Sequence, residues 1–368
     1  MKITVWSYSK EYAETKDEIK KAIDEVFDSG VLILGPKGKE FEAEYARYHG
    51  VKYAVGCDNG TNAIVLALHA LGIGPGDEVI TVPNTAIPTV SAIVTVGATP
   101  VFVDVDPMTY LMDVGKLEAA ITEKTKCILP VHLYGQCADM DPLLEIAGRR
   151  NLYVLEDVAQ GQGAEYKGKK AGAMGTLSTT SFYPTKILGG YGDGGMILTN
   201  EEERYAKLRR LRFYGAEKTY YAREHGYNSR LDEIQASILL TKLPKLDRYV
   251  ARRREIAALY NEWLADTELR LPCEAAYGKH AYYLYVVRHP RRDEIVEKLR
   301  EHDIWVNVSY PWPIHIMTGY ASLGYKEGDF PVAERHAKEV FSLPMYPSLT
   351  DEEVRAVSDA LHDILANL

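Results

Sequence analysis

Four short polar stretches carry the residue types that can do chemistry. Lys186 ends Ser181-Phe182-Tyr183-Pro184-Thr185-Lys186 and is followed by a loop with Gly189, Gly190, Gly192, Gly194 and Gly195. A lysine amine becomes nucleophilic when its surroundings favour the neutral form, and it then forms a Schiff base with an aldehyde. The glycines would leave room there for a bulky ring, although a solvated lysine beside a flexible loop fits the same string. Glu156-Asp157 closes the apolar run NLYVLED, with Gln160 three residues further on. A carboxylate at a strand end stays ionised when a cation pairs with it. A protonated pyridine nitrogen is such a cation, and the pairing makes the ring an electron sink. A metal ligand or a plain polar strand end would use the same residue type.

The third stretch, Asp58-Asn59-Gly60-Thr61-Asn62, follows YAVGC and opens the apolar helix pattern NAIVLALHALG. Free amides at a helix start attract anions, and Gly60 permits close approach. A cap that merely starts the helix has the same composition. The fourth, Gly226-Tyr227-Asn228-Ser229-Arg230, precedes LDEIQASILLTKL and reads as a capping loop.

The elements that must position these residues follow from periodicity. Between Val51 and Asn200 the apolar runs YAVGC, EVITV, TPVFVDV, KCILPVHLYG, NLYVLEDV, STTSFY and GMILTN alternate with helical patterns. Strands that are apolar throughout and alternate with helices predict an α/β fold, its mostly parallel sheet covered on both faces. Ligands gather at the carboxyl ends of such strands, and the polar stretches follow apolar runs as that requires. Leu231 to Leu264 reads as helix with Pro244 as the one interruption. Beyond it HAYYLYVVRH reads as a strand, RRDEIVEKLREHD as a helix, and the chain closes on another helix. A smaller α+β domain is expected from about Asp247, giving domains 1–246 and 247–368.

At 368 residues the chain exceeds the size at which one core stops growing, in keeping with two domains. A net charge of −9 disfavours general binding to nucleic acid or to anionic membranes. Cys57, Cys127, Cys137 and Cys273 show no metal-binding spacing and read as free thiols, so no metal site is expected. The opening MKITVWSYSKEY lacks a signal-peptide pattern and no apolar run is long enough to span a bilayer, so a cytoplasmic protein is expected. The cluster Gly189–Gly195 leads into a strand rather than a helix, unlike a dinucleotide fingerprint.

The strings GTNAIVLALHALGIGPGDEVI, ATPVFVDVDP, EDVAQ, SFYPTK with GDGG, GYNSRLDEIQ, YPWPIHIMTGY and SLPMYPSLTDEEV occur in this order from about Lys39 to the last helix. Together they resemble the DegT/StrS-type sugar aminotransferases. The resemblance implies the type I fold of enzymes dependent on pyridoxal 5′-phosphate (PLP), with a mainly parallel seven-stranded sheet, and a homodimer with composite active sites. It implies that PLP cycles through pyridoxamine phosphate, taking an amino group from glutamate and delivering it to a nucleotide-linked keto-sugar. By the same resemblance Lys186 carries the cofactor covalently and moves the proton, Asp157 pairs with the pyridine nitrogen, and Gln160 lies near the ring hydroxyl. Gly60, Thr61 and Ser181 match the phosphate cradle, with the backbone of Asn62 contributing, and Asn228 reaches the phosphate from the neighbouring subunit. Tyr183, Tyr310 and His315 hold positions that face substrate.

Two departures stand out. Relatives place an aromatic ring over the cofactor where PNTAIPTV has Ala86, and Thr-Lys-Ile replaces a commoner Gly-Lys-Asn around the lysine. By the same resemblance NSRLDEIQ looks more like members that aminate a 3-keto sugar than those acting at carbon 4, which implies a nucleotide-linked 3-keto-6-deoxyhexose, with a 4-keto sugar or a keto-inositol as the alternatives. Lys186 argues against the family's dehydratases, which have histidine at that position. A non-catalytic binding or regulatory protein on this fold would be expected to lack Lys186 or Asp157.

Overall fold

The computed structural model describes residues 2–368. Seven strands form the main sheet: β1 (Tyr53–Cys57), β2 (Glu78–Thr81), β3 (Thr99–Phe102), β4 (Thr125–Ile128), β5 (Tyr153–Asp157), β6 (Leu177–Ser181) and β7 (Gly195–Thr199). Their order across the sheet is β1-β7-β6-β5-β4-β2-β3. β7 pairs antiparallel with both β1 and β6, and every other pairing is parallel. The carboxyl ends of β1, β2, β5 and β6 therefore lie along one edge, and that edge carries the polar stretches. The strands are apolar because both sheet faces are covered; the core takes in Val55, Val79, Ile80, Ile128, Leu155, Leu177 and Ile197.

Eleven helices of the described residues surround the sheets: α1 (Tyr8–Ser29), α2 (Pro36–His49), α3 (Gly60–Ala70), α4 (Ile87–Thr95), α5 (Met140–Arg150), α6 (Glu202–Leu211), α7 (Glu233–Lys242), α8 (Leu246–Trp263), α9 (Arg292–Glu301), α10 (Pro331–Glu339) and α11 (Asp351–Ala366). Pro244 ends α7, and a single 3-10 turn, Leu243–Lys245, separates it from α8. The buried carboxylate of Glu233 on α7 accepts the amides of Gly35, Lys37 and Gly38 at 2.8–2.9 Å. A negative charge thus caps the start of α2, which has no cap of its own.

A second apolar cluster joins Ile3 to Ile256, Tyr260, Leu299, Phe341, Val357 and Leu361. It lies under β8 (Tyr285–Arg288) and β9 (Val340–Leu343), an antiparallel pair, with α8, α9 and α11 around it. None of the described helices is long and apolar enough to cross a membrane.

Candidate active site at the carboxyl edge of the sheet

Asp157 is the last residue of β5 and is only 4% exposed. Its Oδ2 accepts a hydrogen bond from Thr89 Oγ1 at 2.8 Å, and its Oδ1 accepts the amide of Ala159 at 3.0 Å. Thr89 sits one turn from Thr85 on the loop after β2, and their hydroxyls bond at 3.1 Å. Because side chains alternate along a strand, the adjacent Glu156 points the other way. Its carboxylate meets His132 Nε2 at 2.8 Å and the amides of Gly172, Met174 and Gly175 at 2.5–2.8 Å. Burial pushes the Glu156 carboxyl up, but His132 and the amides outweigh it and hold it below the usual range. Of the two acids, Glu156 is consumed by the fold, and Asp157 is placed at the open edge.

Asp157 pairs in register with Thr179 on β6, which ends two residues later at Ser181. Ser181 faces the start of α3 so closely that a Cβ on Gly60 would lie 2.7 Å from its Cβ and 3.2 Å from its Oγ. A side chain at that position would press on the end of β6. Asn59 caps α3 by accepting the Asn62 amide at 2.8 Å, and the Asn62 side chain donates to Asp58 at 2.7 Å. The amides of Gly60 and Thr61 come before the first intrahelical bond and point out of the helix end. They lie beside Ser181 at the carboxyl edge of the sheet. The Asn62 amide is bonded to Asn59.

Lys186 follows Ser181 through a turn in which its own amide donates to Tyr183 O at 2.9 Å. Phe182, fully buried against Phe41 and Tyr45, anchors the turn from beneath. The Lys186 side chain is half-buried, and Nζ lies 4.8 Å from the centre of the Tyr283 ring. Gln160 spends its carbonyl on the Tyr134 amide (2.8 Å) and donates to the Tyr310 hydroxyl at 2.6 Å. Burial pushes the Tyr310 phenol well up, with the nearby Tyr283 adding to the effect.

Tyr183 is 53% exposed and Asn228 is exposed, while its neighbour Ser229 donates to Asp58 beside the start of α3. His315 is placed in the interior. It is 1% exposed, gives Nε2 to Glu334 at 2.9 Å and packs edge-on against Phe330, so it holds the α10 region together and meets no open surface. Ala86 sits at the start of α4 and brings no ring to the site. A groove of 870 Å³ between α2, β1 and α6 contains none of these residues. Thr89 and Tyr283 were missed by the sequence reading. The Thr85/Thr89 spacing of one helical turn and the aromatic string HAYYLY were the signals that could have found them.

A buried acid, free amides at a helix start and a lysine on one sheet edge suit a phosphorylated pyridine aldehyde. The model of the DegT/DnrJ/EryC1/StrS aminotransferase family matches residues 13–362. The chain belongs to this family. It is an aminotransferase, and its cofactor is pyridoxal phosphate, alternating with pyridoxamine phosphate. Among relatives, a dTDP-3-amino-3,4,6-trideoxy-alpha-D-glucose transaminase of Micromonospora megalomicea subsp. nigra is 54% identical, covering 99% of each chain. A pleiotropic regulatory protein of Geobacillus stearothermophilus is 48% identical over 98% of each. The solved structure of S. venezuelae DesV in complex with a ketimine intermediate matches at TM-score 0.97, with 41% identity over 98% of each chain. That of NtdA from Bacillus subtilis with bound pyridoxamine phosphate matches at TM-score 0.90 and 32% identity, covering 98% of this chain and 83% of that one.

Proposed function

We propose that this enzyme moves the amino group of L-glutamate to carbon 3 of a nucleotide-linked 3-keto-6-deoxyhexose. The sugar reading rests on the 54% identical relative, whose name places the amino group at carbon 3. The observation that carries the chemistry is the buried carboxylate of Asp157, fixed by Thr89 on the sheet edge that also bears Gly60, Ser181 and Lys186.

Asp157 would hold the ring nitrogen of the cofactor in its protonated form. The amides of Gly60 and Thr61, with the Ser181 hydroxyl, would hold the phosphate, and Asn228 of a second copy would complete the cradle from its exposed loop. When bound, pyridoxal phosphate supplies a ring that takes up the electron pair left as a carbon–hydrogen bond beside the amino nitrogen breaks. Lys186 Nζ would take that proton from the α-carbon of the donor and return it to the carbon bonded to the other side of the amino nitrogen. Gln160 fixes Tyr310, which with Tyr183 would border the sugar.

We also propose a homodimer, a cytoplasmic location and a division into domains 1–246 and 247–368. The second apolar cluster supports the division, although Ile314, Phe330 and Ala333 pack on the first core. The test is turnover of nucleotide-linked 3-keto- and 4-keto-6-deoxyhexoses with glutamate. Product from the 3-keto sugar, with release of 2-oxoglutarate, is expected. Turnover of the 4-keto sugar alone would overturn the position assigned. A second reading, a regulatory protein, is raised by the 48% identical relative. It would be favoured by a protein that binds pyridoxal phosphate yet leaves glutamate unchanged.

A further inference from the structure

We infer that Tyr283 is a further catalytic residue: its ring face stabilises the ammonium that Lys186 becomes when it takes the substrate proton. This rests on the role proposed above for Lys186. As the α-carbon–hydrogen bond breaks, a nitrogen–hydrogen bond forms on Lys186, and the electron pair stays on the carbon and passes into the cofactor. Positive charge therefore appears on Nζ, 4.8 Å from the centre of the Tyr283 ring. The face of an aromatic ring attracts a cation at that range, and a half-buried site weakens the competition from water.

One contact holds the ring itself, and several others hold the main chain that carries it. The Tyr283 hydroxyl meets Thr185 Oγ1 at 3.2 Å, so the ring is tied to the residue immediately before the lysine. The buried Arg253 donates to the carbonyls of Tyr282, Tyr283 and Met345 at 2.8–3.1 Å, which fixes the main chain beneath the ring. The Tyr283 amide approaches Gly135 so closely that a Cβ there would lie 2.6 Å away, and Gly135 adopts a φ of 108°. Tyr282 and Tyr134, on either side of that contact, both hold left-handed backbone, with φ of 48° and 60°. Such backbone is costly for tyrosine and persists where surrounding structure enforces it. All these constraints converge on the segment that carries the ring under Lys186.

Tyr283→Phe keeps the ring and loses the bond to Thr185; Tyr283→Leu removes the ring, and Tyr283→Met removes it with less change in length should the leucine variant fail to fold. The first measurement is the glutamate half-reaction of the holoenzyme, followed by stopped-flow absorbance with ordinary and α-deuterated glutamate. The phenylalanine variant is expected to lose less than threefold in rate. The ringless variant is expected to lose at least tenfold and to show a larger deuterium effect, because proton transfer has become slower. The second measurement needs no turnover: labelling of Lys186 by trinitrobenzenesulfonate in the cofactor-free protein, read by peptide mass spectrometry. Loss of the ring should speed labelling about fivefold, and the phenylalanine variant should stay within twofold of the parent. Equal behaviour of the phenylalanine and ringless variants in both measurements would overturn the inference. A parent protein that takes up pyridoxal phosphate but does not react with glutamate would instead overturn the aminotransferase reading beneath it.

Discussion

Replacing Gly60 by alanine tests the phosphate cradle with little disturbance elsewhere. The added Cβ would sit 2.7 Å from Ser181 Cβ and 3.3 Å from Ser181 Cα. Carbon atoms not bonded to each other prefer about 3.5–4.0 Å, so the start of α3 and the end of β6 must part by about 1 Å. Overpacking of this kind costs ~1–3 kcal/mol, and the better helix propensity of alanine returns ~0.5–1 kcal/mol. The cofactor-free protein should therefore stay folded, with stability within ~2 kcal/mol of the parent. The cradle fares worse, because hydrogen bonds to a charged acceptor contribute ~1.5–3 kcal/mol each and depend on alignment. Loss of about 2 kcal/mol of phosphate binding corresponds to a roughly 30-fold weaker Kd. Pyridoxamine phosphate is the ligand to titrate, since it makes no covalent bond to Lys186 and leaves the phosphate to carry the affinity. Thermal unfolding with and without ligand supplies an independent reading through linkage. A Gly60→Ala protein that is folded and binds pyridoxamine phosphate within threefold of the parent would refute the placement of the phosphate at α3.

Thr89→Val removes the hydroxyl that orients Asp157 and should slow the glutamate half-reaction about tenfold, in line with the loss of one bond to a buried carboxylate; an unchanged rate in stopped-flow absorbance would count against the role of Asp157. Glu233→Ala leaves the amides of Gly35, Lys37 and Gly38 without their acceptor and should cost ~3 kcal/mol in denaturant unfolding, with Glu233→Gln costing less. Burial holds His336 down at about 3, with Arg288 and Arg335 adding to it. The unfolded chain takes up that proton near pH 6.5, so stability is lost as pH falls from 6.5 towards about 3, at ~1.4 kcal/mol per unit. His336→Phe should remove this part of the slope, giving unfolding curves that converge with the parent above pH 7 and diverge in favour of the variant below pH 6.

The strands of the main sheet were legible because they are apolar throughout, and their sequence order with the helices implied a parallel sheet. Helix α3 and the break at Pro244 followed from periodicity and from the missing amide of proline. Strand β7 reads like the others, and only the pairing between β1 and β6 reveals that it runs the opposite way. The positions of Asp157, Gly60 and Lys186 on one edge followed from strand ends, a local property. Two other features depend on partners further along the chain. The burial of His315 against Glu334 follows from the packing of α10. Tyr283 lies 97 positions from Lys186 and meets it only because Arg253 and Gly135 hold the intervening loop in place.

The central claim is that Lys186 binds the cofactor covalently and that glutamate releases it. The direct measurement is borohydride reduction of the protein loaded with pyridoxal phosphate, followed by digestion and mass spectrometry of the Ser181–Lys186 region, with and without prior exposure to glutamate. The account predicts a phosphopyridoxyl group on Lys186 that disappears when glutamate is added first. A label on another lysine, or one on Lys186 that glutamate leaves untouched, would contradict it.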